Sequence, residues 1–254
     1  MLRRSDVRAN SADGAGAPQP GVPLDLYINV VDTGHACRPL NGVAVDIWHA
    51  NAHGLYSDEP AQNTSGGTSA SSADTSGDDW LRGFQITGGD RGLRSHPADG
   101  EVSFRTIWPG WYAGRAIHIH VRVRRLSSNG TTIAGYTTQI FFSDSDNDRV
   151  LTGAAPYNTR NPETDRTTDE NDSVLASADH ATNVVAVRGS VATGFRATFN
   201  IALSDAEAGA ADSLAQTGAA AAPPGPAEPA DRARSRHPRA HRLARNSSTR
   251  AAAC

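Results

Sequence analysis

The stretch Ala116-Ile-His-Ile-His-Val-Arg-Val123 is rich in β-branched residues and predicts a strand. A strand sends successive side chains to opposite faces, so His118 and His120 share one face. The opposite face is apolar and consists of Ile117, Ile119, Val121 and Val123. Two imidazoles side by side on one rigid strand make half of a metal coordination shell.

Two tyrosines occur in short motifs close to this strand. Tyr112 lies in Pro109-Gly-Trp-Tyr112, and Tyr56 ends Asp46-Ile-Trp-His-Ala-Asn-Ala-His-Gly-Leu-Tyr56. A phenolate is a hard anionic oxygen donor. Together with two imidazoles it favours a ferric ion over zinc, which usually takes Cys, His or carboxylate ligands.

With these motifs the chain resembles the intradiol ring-cleavage dioxygenases, both protocatechuate 3,4-dioxygenase-like and catechol dioxygenase-like. These are non-haem Fe(III) enzymes that cut catechols between the two hydroxylated carbons. The resemblance covers about residues 20 to 204, in the family's order. Its matching pieces are Asp46–Ser57, Leu81-Arg-Gly-Phe-Gln85, Phe104–His120, Thr138-Gln-Ile-Phe-Phe142 and Gly194–Leu203.

The resemblance implies a function and a role for each site residue. The reaction would open a catechol-type ring with O2 to a cis,cis-muconate-type dicarboxylic acid. The implied Fe(III) ligands are Tyr56, Tyr112, His118 and His120. Tyr112 would leave the metal when substrate chelates and take a substrate proton. Arg115 would stabilise negative charge on the substrate ring, and Gln139 would lie near the same pocket.

The same pattern predicts an all-β fold, a β-sandwich of the intradiol dioxygenase type with long loops. Leu24, Leu26, Ile28 and Val30 alternate with polar residues, and Val43, Val45 and Ile47 repeat the pattern. Further strands are predicted near 83–87, 101–107, 116–124, 136–142, 183–188 and 194–203. Residues 58–79 and the acidic stretch 144–179 are predicted to be surface segments, the second with little core.

Three segments follow from this patterning. Residues 1–22 are an irregular lead-in, 23–204 form the catalytic β-sandwich domain, and 205–254 form a tail rich in Ala, Pro and Arg. The tail is predicted to be disordered because its apolar density is too low to offset the ordering entropy.

Two alternatives to this enzyme remain at the level of sequence. The first half also looks like a transthyretin-like β-sandwich module for binding or adhesion, which holds no catalytic metal. Its matching pieces are Pro39-Leu-Asn-Gly-Val-Ala-Val45 and Gly54-Leu-Tyr56. A His-His-carboxylate iron site is disfavoured, because no well-placed acid accompanies His118 and His120. His49 and His53 are expected to have structural or rim roles.

Composition and charge limit the partners. The net charge of -3 is too small to indicate a nucleic-acid partner, and no apolar run is long enough for a membrane span. The sequence allows a homodimer. As written, its start predicts a cytoplasmic protein, whereas a start further upstream could add a signal and lead to export. The spacing of Cys37 and Cys254 indicates no disulfide framework and favours two free thiols.

Overall fold

The structure is a computed structural model that describes residues 2–11, 16–60, 62–63, 72–159, 166–178 and 180–204. The strands are β1 (Pro23–Asp32), β2 (Arg38–Pro39), β3 (Ala44–Trp48), β4 (Gln62–Asn63), β5 (Ser72–Ala73), β6 (Arg82–Ile86), β7 (Glu101–Ile107), β8 (His118–Leu126), β9 (Thr132–Phe142), β10 (Val184–Val185), β11 (Val187–Ser190) and β12 (Gly194–Leu203). The helices are α1 (Asp144–Gly153), α2 (Ser173–Ser177) and α3 (His180–Asn183), with 3-10 turns at Thr33–His35, Tyr157–Thr159 and Asp169–Asn171. No helix in the described part of the chain is long and apolar enough to cross a membrane.

Ten of these strands form two five-stranded sheets, and β4 pairs with β5 in a separate two-stranded sheet. In the first sheet β1 pairs in parallel with β12 and antiparallel with β7 and β2, and β11 extends the sheet beyond β12. The second sheet has the order β10-β9-β8-β3-β6. Side chains from both sheets belong to one hydrophobic cluster, so the molecule is a β-sandwich. The predicted all-β fold is confirmed.

The core follows the alternation that the sequence predicts. On β1, Leu24, Leu26, Ile28 and Val30 are all fully buried, and they meet Val45, Ile47, Ile119 and Val121 of the second sheet in the same cluster. The opposite faces of β3 and β8 are therefore free to carry polar side chains.

Strand register places the polar row of the second sheet. On β8, His120 is opposite Trp48 of β3 on one side and Gln139 of β9 on the other. His118 is opposite Phe141 of β9. Directly opposed residues in a sheet have Cβ atoms about 4.5–5.5 Å apart, so this register brings Gln139 and Trp48 against the same imidazole.

The stretch 144–179 differs from the expectation of little core. Helix α1 buries Val150 and Leu151, the following turn buries Tyr157, and α2 buries Leu175. The expectation was wrong because these buried apolar residues are widely separated along the chain and form no periodic pattern that the sequence could show. Several of the residues between them are polar but buried, such as Asn147 and Asp172.

Two further features lie outside the strand pattern. Arg3 and Asp6 form isolated bridges with Phe84 of β6 and Arg105 of β7, and Val7 is fully buried. Cys37 is disulfide-bonded, which corrects the free-thiol prediction for this residue. Cys254 and the rest of the predicted tail lie outside the described residues.

Candidate metal centre and active site

Four side-chain atoms from three segments of the chain come together at one point. The Tyr56 hydroxyl lies 3.4 Å from the Tyr112 hydroxyl and 3.4 Å from Nε2 of His118. Nε2 of His118 lies 3.3 Å from the Tyr112 hydroxyl and 3.1 Å from Nε2 of His120. Four donors that each bind one ion at about 2.0–2.1 Å in a tetrahedral arrangement would lie about 3.3–3.4 Å apart. The spacing of these atoms therefore fits a single metal ion.

The two imidazoles are held by different contacts. Nδ1 of His118 donates to the carbonyl of Ala116 at 2.7 Å, which leaves Nε2 with its lone pair directed at the other three donors. His120 stacks on the ring of Trp48, with centroids 4.7 Å apart and planes within 2° of parallel. Both histidines are almost completely buried, so each ring has one well-defined orientation.

The two tyrosines come from loops that are tied together. Oδ1 of Asn51 accepts from the backbone N–H groups of His53 and Leu55, which folds the loop that ends at Tyr56. The carbonyl of Asn51 accepts from the backbone N–H of Gly110, two residues before Tyr112. One asparagine therefore links both tyrosine motifs.

Burial sets the protonation of these groups in the absence of a bound cation. Burial, and then the charge of Arg115, lowers the pKa of His118 to about 3. Burial also lowers the pKa of His120 and raises the pKa of Tyr56 and of Tyr112. Neutral imidazoles are ready to bind a metal, whereas phenolates in this position require a cation to offset their desolvation.

A hydrogen-bonded chain of three residues runs beside the metal centre. Nη2 of Arg115 donates to Oε1 of Gln139 at 2.5 Å, and Nε donates to Oδ2 of Asp172 at 2.9 Å. Nε2 of Gln139 lies 3.4 Å from Nδ1 of His120. Gln139 thereby bridges the Arg115 guanidinium and the imidazole of His120.

Comparison with known proteins gives the family. A family model described as Dioxygenase matches residues 4–184, more than half of the chain. The chain belongs to this dioxygenase family. No curated protein matches the dioxygenase.

One solved structure supports the fold. The dioxygenase is similar to the intradiol ring-cleavage dioxygenase from Tetranychus urticae, with a TM-score of 0.62 and 24% identity over 84% of this chain and 90% of that one. It also resembles the dioxygenase domain of a dioxygenase and carbohydrate-binding protein fusion from Streptomyces sp. SirexAA-E. That match has 27% identity and a TM-score of 0.45, over 80% of this chain and 89% of that one. The family model and this fold confirm the predicted resemblance to intradiol dioxygenases, and the chain is an oxidoreductase that uses O2.

All six site residues predicted from the sequence lie in one region of the structure. Tyr56, Tyr112, His118 and His120 surround one point, with Arg115 and Gln139 directly beside it. Within the described ranges, no three His, Cys, Asp or Glu side chains form a metal cluster. This gives no support to a His-His-carboxylate site.

His49 and Asp172 are the other buried polar residues near the centre. Nδ1 of His49 donates to the carbonyl of Ala50, and Nε2 lies 2.6 Å from the Thr106 hydroxyl. Both ring nitrogens therefore have polar partners outside the centre, in keeping with a structural role. Asp172 was missed in the sequence. The one signal for it is its place directly before Ser-Val-Leu, which is typical of a helix N-cap.

Proposed function

We propose that the protein is an Fe(III)-dependent intradiol dioxygenase. Its reaction is the cleavage of a catechol-type ring with O2 to a cis,cis-muconate-type dicarboxylic acid. The observation that carries the proposal is the convergence on Nε2 of His118, which lies 3.1–3.4 Å from the two phenol oxygens and from Nε2 of His120. Membership of the dioxygenase family supports it.

The proposed iron ligands are Tyr56, Tyr112, His118 and His120. Two hard anionic oxygens and two neutral nitrogens suit a ferric ion, and they carry two negative charges that offset part of its charge. When bound, ferric iron supplies a Lewis acid that draws electron density out of a chelated catechol, so that O2 attacks the substrate. The protein's own groups then handle protons and charge.

We assign proton transfer to Tyr112. Its loop is more open than that of Tyr56, because Ala113 and Gly114 are exposed and a Cβ on Gly114 would meet nothing within 4 Å. The backbone at Tyr56 is held in place, because the Tyr56 carbonyl accepts a hydrogen bond from the Thr75 hydroxyl at 2.7 Å. Tyr112 is therefore the better candidate to release the metal and to accept a substrate hydroxyl proton at its phenolate oxygen, while Tyr56 stays bound.

Arg115 and Gln139 are assigned to the substrate side of the centre. A guanidinium held beside the ligands stabilises negative charge that develops on the ring as it is attacked. Gln139 fixes that guanidinium through Oε1 and reaches the edge of His120. The proposed role of Gln139 is to hold the Arg115 guanidinium at a fixed position relative to the iron.

Metal analysis tests the centre directly. We expect about one iron per chain and a tyrosinate-to-iron absorption band in protein produced with ample iron. His118→Ala and His120→Ala should lose most of the iron and the colour. Tyr136→Phe is the matched control, since Tyr136 packs against the core on β9 and should change neither. Zinc, or no metal, in the wild type would contradict the proposal.

Oxygen uptake tests the reaction and the substrate. Catechol, protocatechuate, hydroxyquinol and larger lignin-derived catechols form the panel. We expect at least one of them to consume O2 and yield a muconate-type diacid in which both new oxygen atoms come from 18O2. Yellow semialdehyde products would show cleavage outside the two hydroxylated carbons and would refute the intradiol assignment.

The two tyrosines are separated by their phenylalanine variants. Tyr112→Phe should keep iron on three ligands, while turnover falls by about 100- to 10,000-fold because the internal base is gone. Tyr56→Phe should shift the absorption band and weaken iron retention. Normal turnover in Tyr112→Phe would remove the proton-transfer role from Tyr112.

A further inference from the structure

We propose that Asp172 is a positioning residue that holds the Arg115 guanidinium in its working orientation beside the metal centre. The inference rests on the proposed function, because it assigns Arg115 a task in catalysis. Asp172 itself belongs to the segment between α1 and β10, far along the chain from the other site residues.

Both carboxylate oxygens of Asp172 are used. Oδ2 accepts from Nε of Arg115 at 2.9 Å and from the backbone N–H of Ala116 at 2.7 Å. Oδ1 accepts from the backbone N–H groups of Val174 and Leu175 at 2.8 and 2.9 Å. The side chain is fully buried. One carboxylate therefore ties the start of α2 to the residues that lead into β8.

A carboxylate is the side chain that this position requires. Three main-chain N–H groups and two nitrogens of Arg115 donate to its two oxygens, and a hydroxyl or an amide cannot accept from all five. Burial alone would raise the pKa of Asp172, but the donors from Leu175, Arg115 and Ala116 outweigh it and hold the pKa below its usual range. The residue stays ionised and the ion pair stays charge-assisted.

The ion pair restricts Arg115 at two points. Asp172 binds Nε and Gln139 binds Nη2, and two contacts on a planar group leave it one orientation. Among contacts with described residues, Nη1 has no partner, so it is the donor available to a substrate. The charge of Arg115 also lowers the pKa of both His118 and His120, so the cation lies within electrostatic reach of the metal ligands.

A double-mutant cycle in the iron-loaded full-length protein tests this role. Asp172→Ser keeps a hydroxyl that can cap α2 but removes the acceptor for Arg115. We expect kcat to fall by about 10- to 100-fold, because displacing a catalytic group such as the Arg115 guanidinium by about 1 Å lowers the rate by up to this factor. KM, iron content and the absorption band should change little.

The second arm of the cycle adds Arg115→Ala. If Asp172 acts through Arg115, then Asp172→Ser should cost nothing further once Arg115 is gone. Losses that multiply in the double variant would overturn the proposal, since Asp172 would then act by another route. Ser143→Ala is the matched control: it removes the cap of α1 without touching Arg115, and it should keep wild-type kcat.

A readout that does not depend on turnover follows Arg115 itself. Phenylglyoxal modifies accessible arginines, and peptide mass spectrometry gives the rate at each one. We expect modification of Arg115 to be several-fold faster in Asp172→Ser than in the wild type or in Ser143→Ala, with Arg105 unchanged as an internal reference. Equal rates at Arg115 would overturn the proposal.

These arms separate failure of this proposal from failure of the proposed function. If no catechol is turned over by the wild type, the proposed function fails, while the modification rates still report whether Asp172 holds Arg115. If Asp172→Ser does not fold, Asp172→Asn replaces it, since asparagine also caps helices. An amide offers one acceptor for two sets of donors, so kcat should again fall. Wild-type kcat in Asp172→Asn would overturn the proposal.

Discussion

Acidification should destabilise the protein through His49. The neutral ring donates from Nδ1 to the Ala50 carbonyl, and the side chain is fully buried. Burial lowers the pKa of His49 from 6.5 to about 4, although the contact with Ala50 opposes the shift. The unfolded chain takes up a proton near pH 6.5 and the folded chain does not. Stability is therefore complete above pH 6.5 and is lost as the pH falls towards 4.

The size of this effect follows from the two pKa values. Between pH 7 and pH 5 the linkage relation gives a loss of about 2 kcal/mol from His49 alone. Below pH 4 the loss levels off at about 3 kcal/mol. A charged His49 would also act on the site, because its charge lowers the pKa of both His118 and His120. A neutral His49 thus favours a cation at the centre.

The assay is urea unfolding of the wild type and of His49→Gln at pH 7 and pH 5, with the same metal content in both. The other buried histidines and the metal contribute equally to the two proteins, so the difference between their pH dependences isolates His49. We expect the wild type to lose about 2 kcal/mol more than the variant. Equal losses in the two proteins, within about 0.5 kcal/mol, would refute the argument that burial keeps His49 neutral.

Three further substitutions test how the site is supported. In Gly110→Ala the new Cβ would overlap the backbone of Ala52 and lie 2.6 Å from the Asn51 carbonyl oxygen. We expect the free energy of unfolding in urea to fall by about 1–3 kcal/mol and the iron content to fall with it. A normal iron content would show that the two tyrosine loops tolerate separation. Trp48→Leu removes the ring stacked on His120 and should weaken iron retention against a chelator by about 0.5–1.5 kcal/mol, with unchanged retention counting against a positioning role for the stack. Tyr157→Phe removes the hydroxyl that donates to the Trp108 carbonyl at 2.6 Å and accepts from the Val22 N–H at 3.2 Å. The free energy of unfolding should fall by about 1–3 kcal/mol. No measurable change would mean that the segment after α1 adds little to the core.

Much of the sandwich follows from alternation. Every predicted strand that falls in the described part of the chain has a counterpart, because a strand with one buried face must repeat apolar residues with a period of two. The same rule predicts that His118 and His120 share one face. Their pairing with Tyr56 and Tyr112 needed the family resemblance, since loop closure cannot be derived from periodicity.

The contribution of the 144–179 segment could not be predicted in the same way. It contacts the core through isolated residues such as Tyr157 and Leu175, which show no period. Asp172 is harder still, because a charged residue in a polar stretch is usually exposed. Its burial depends on the N–H groups of Val174 and Leu175 and on the Arg115 guanidinium and the Ala116 N–H, which a distant segment brings to it. Only the tertiary structure contains that information.

Strand β8 connects the core and the site in a way that constrains both. Ile119 and Val121 fill the core between the sheets, while His118 and His120 on the other face meet the tyrosines. A slip of β8 by one residue would place imidazoles in the apolar core and isoleucine at the metal centre. It would also move Trp48 and Gln139 away from His120, since both are positioned by strand register. The proposed iron binding therefore depends on the same register that buries the core. A metal bound on this outer face of β8 should in turn stabilise that register, because any ligand that binds only the folded chain adds to its stability.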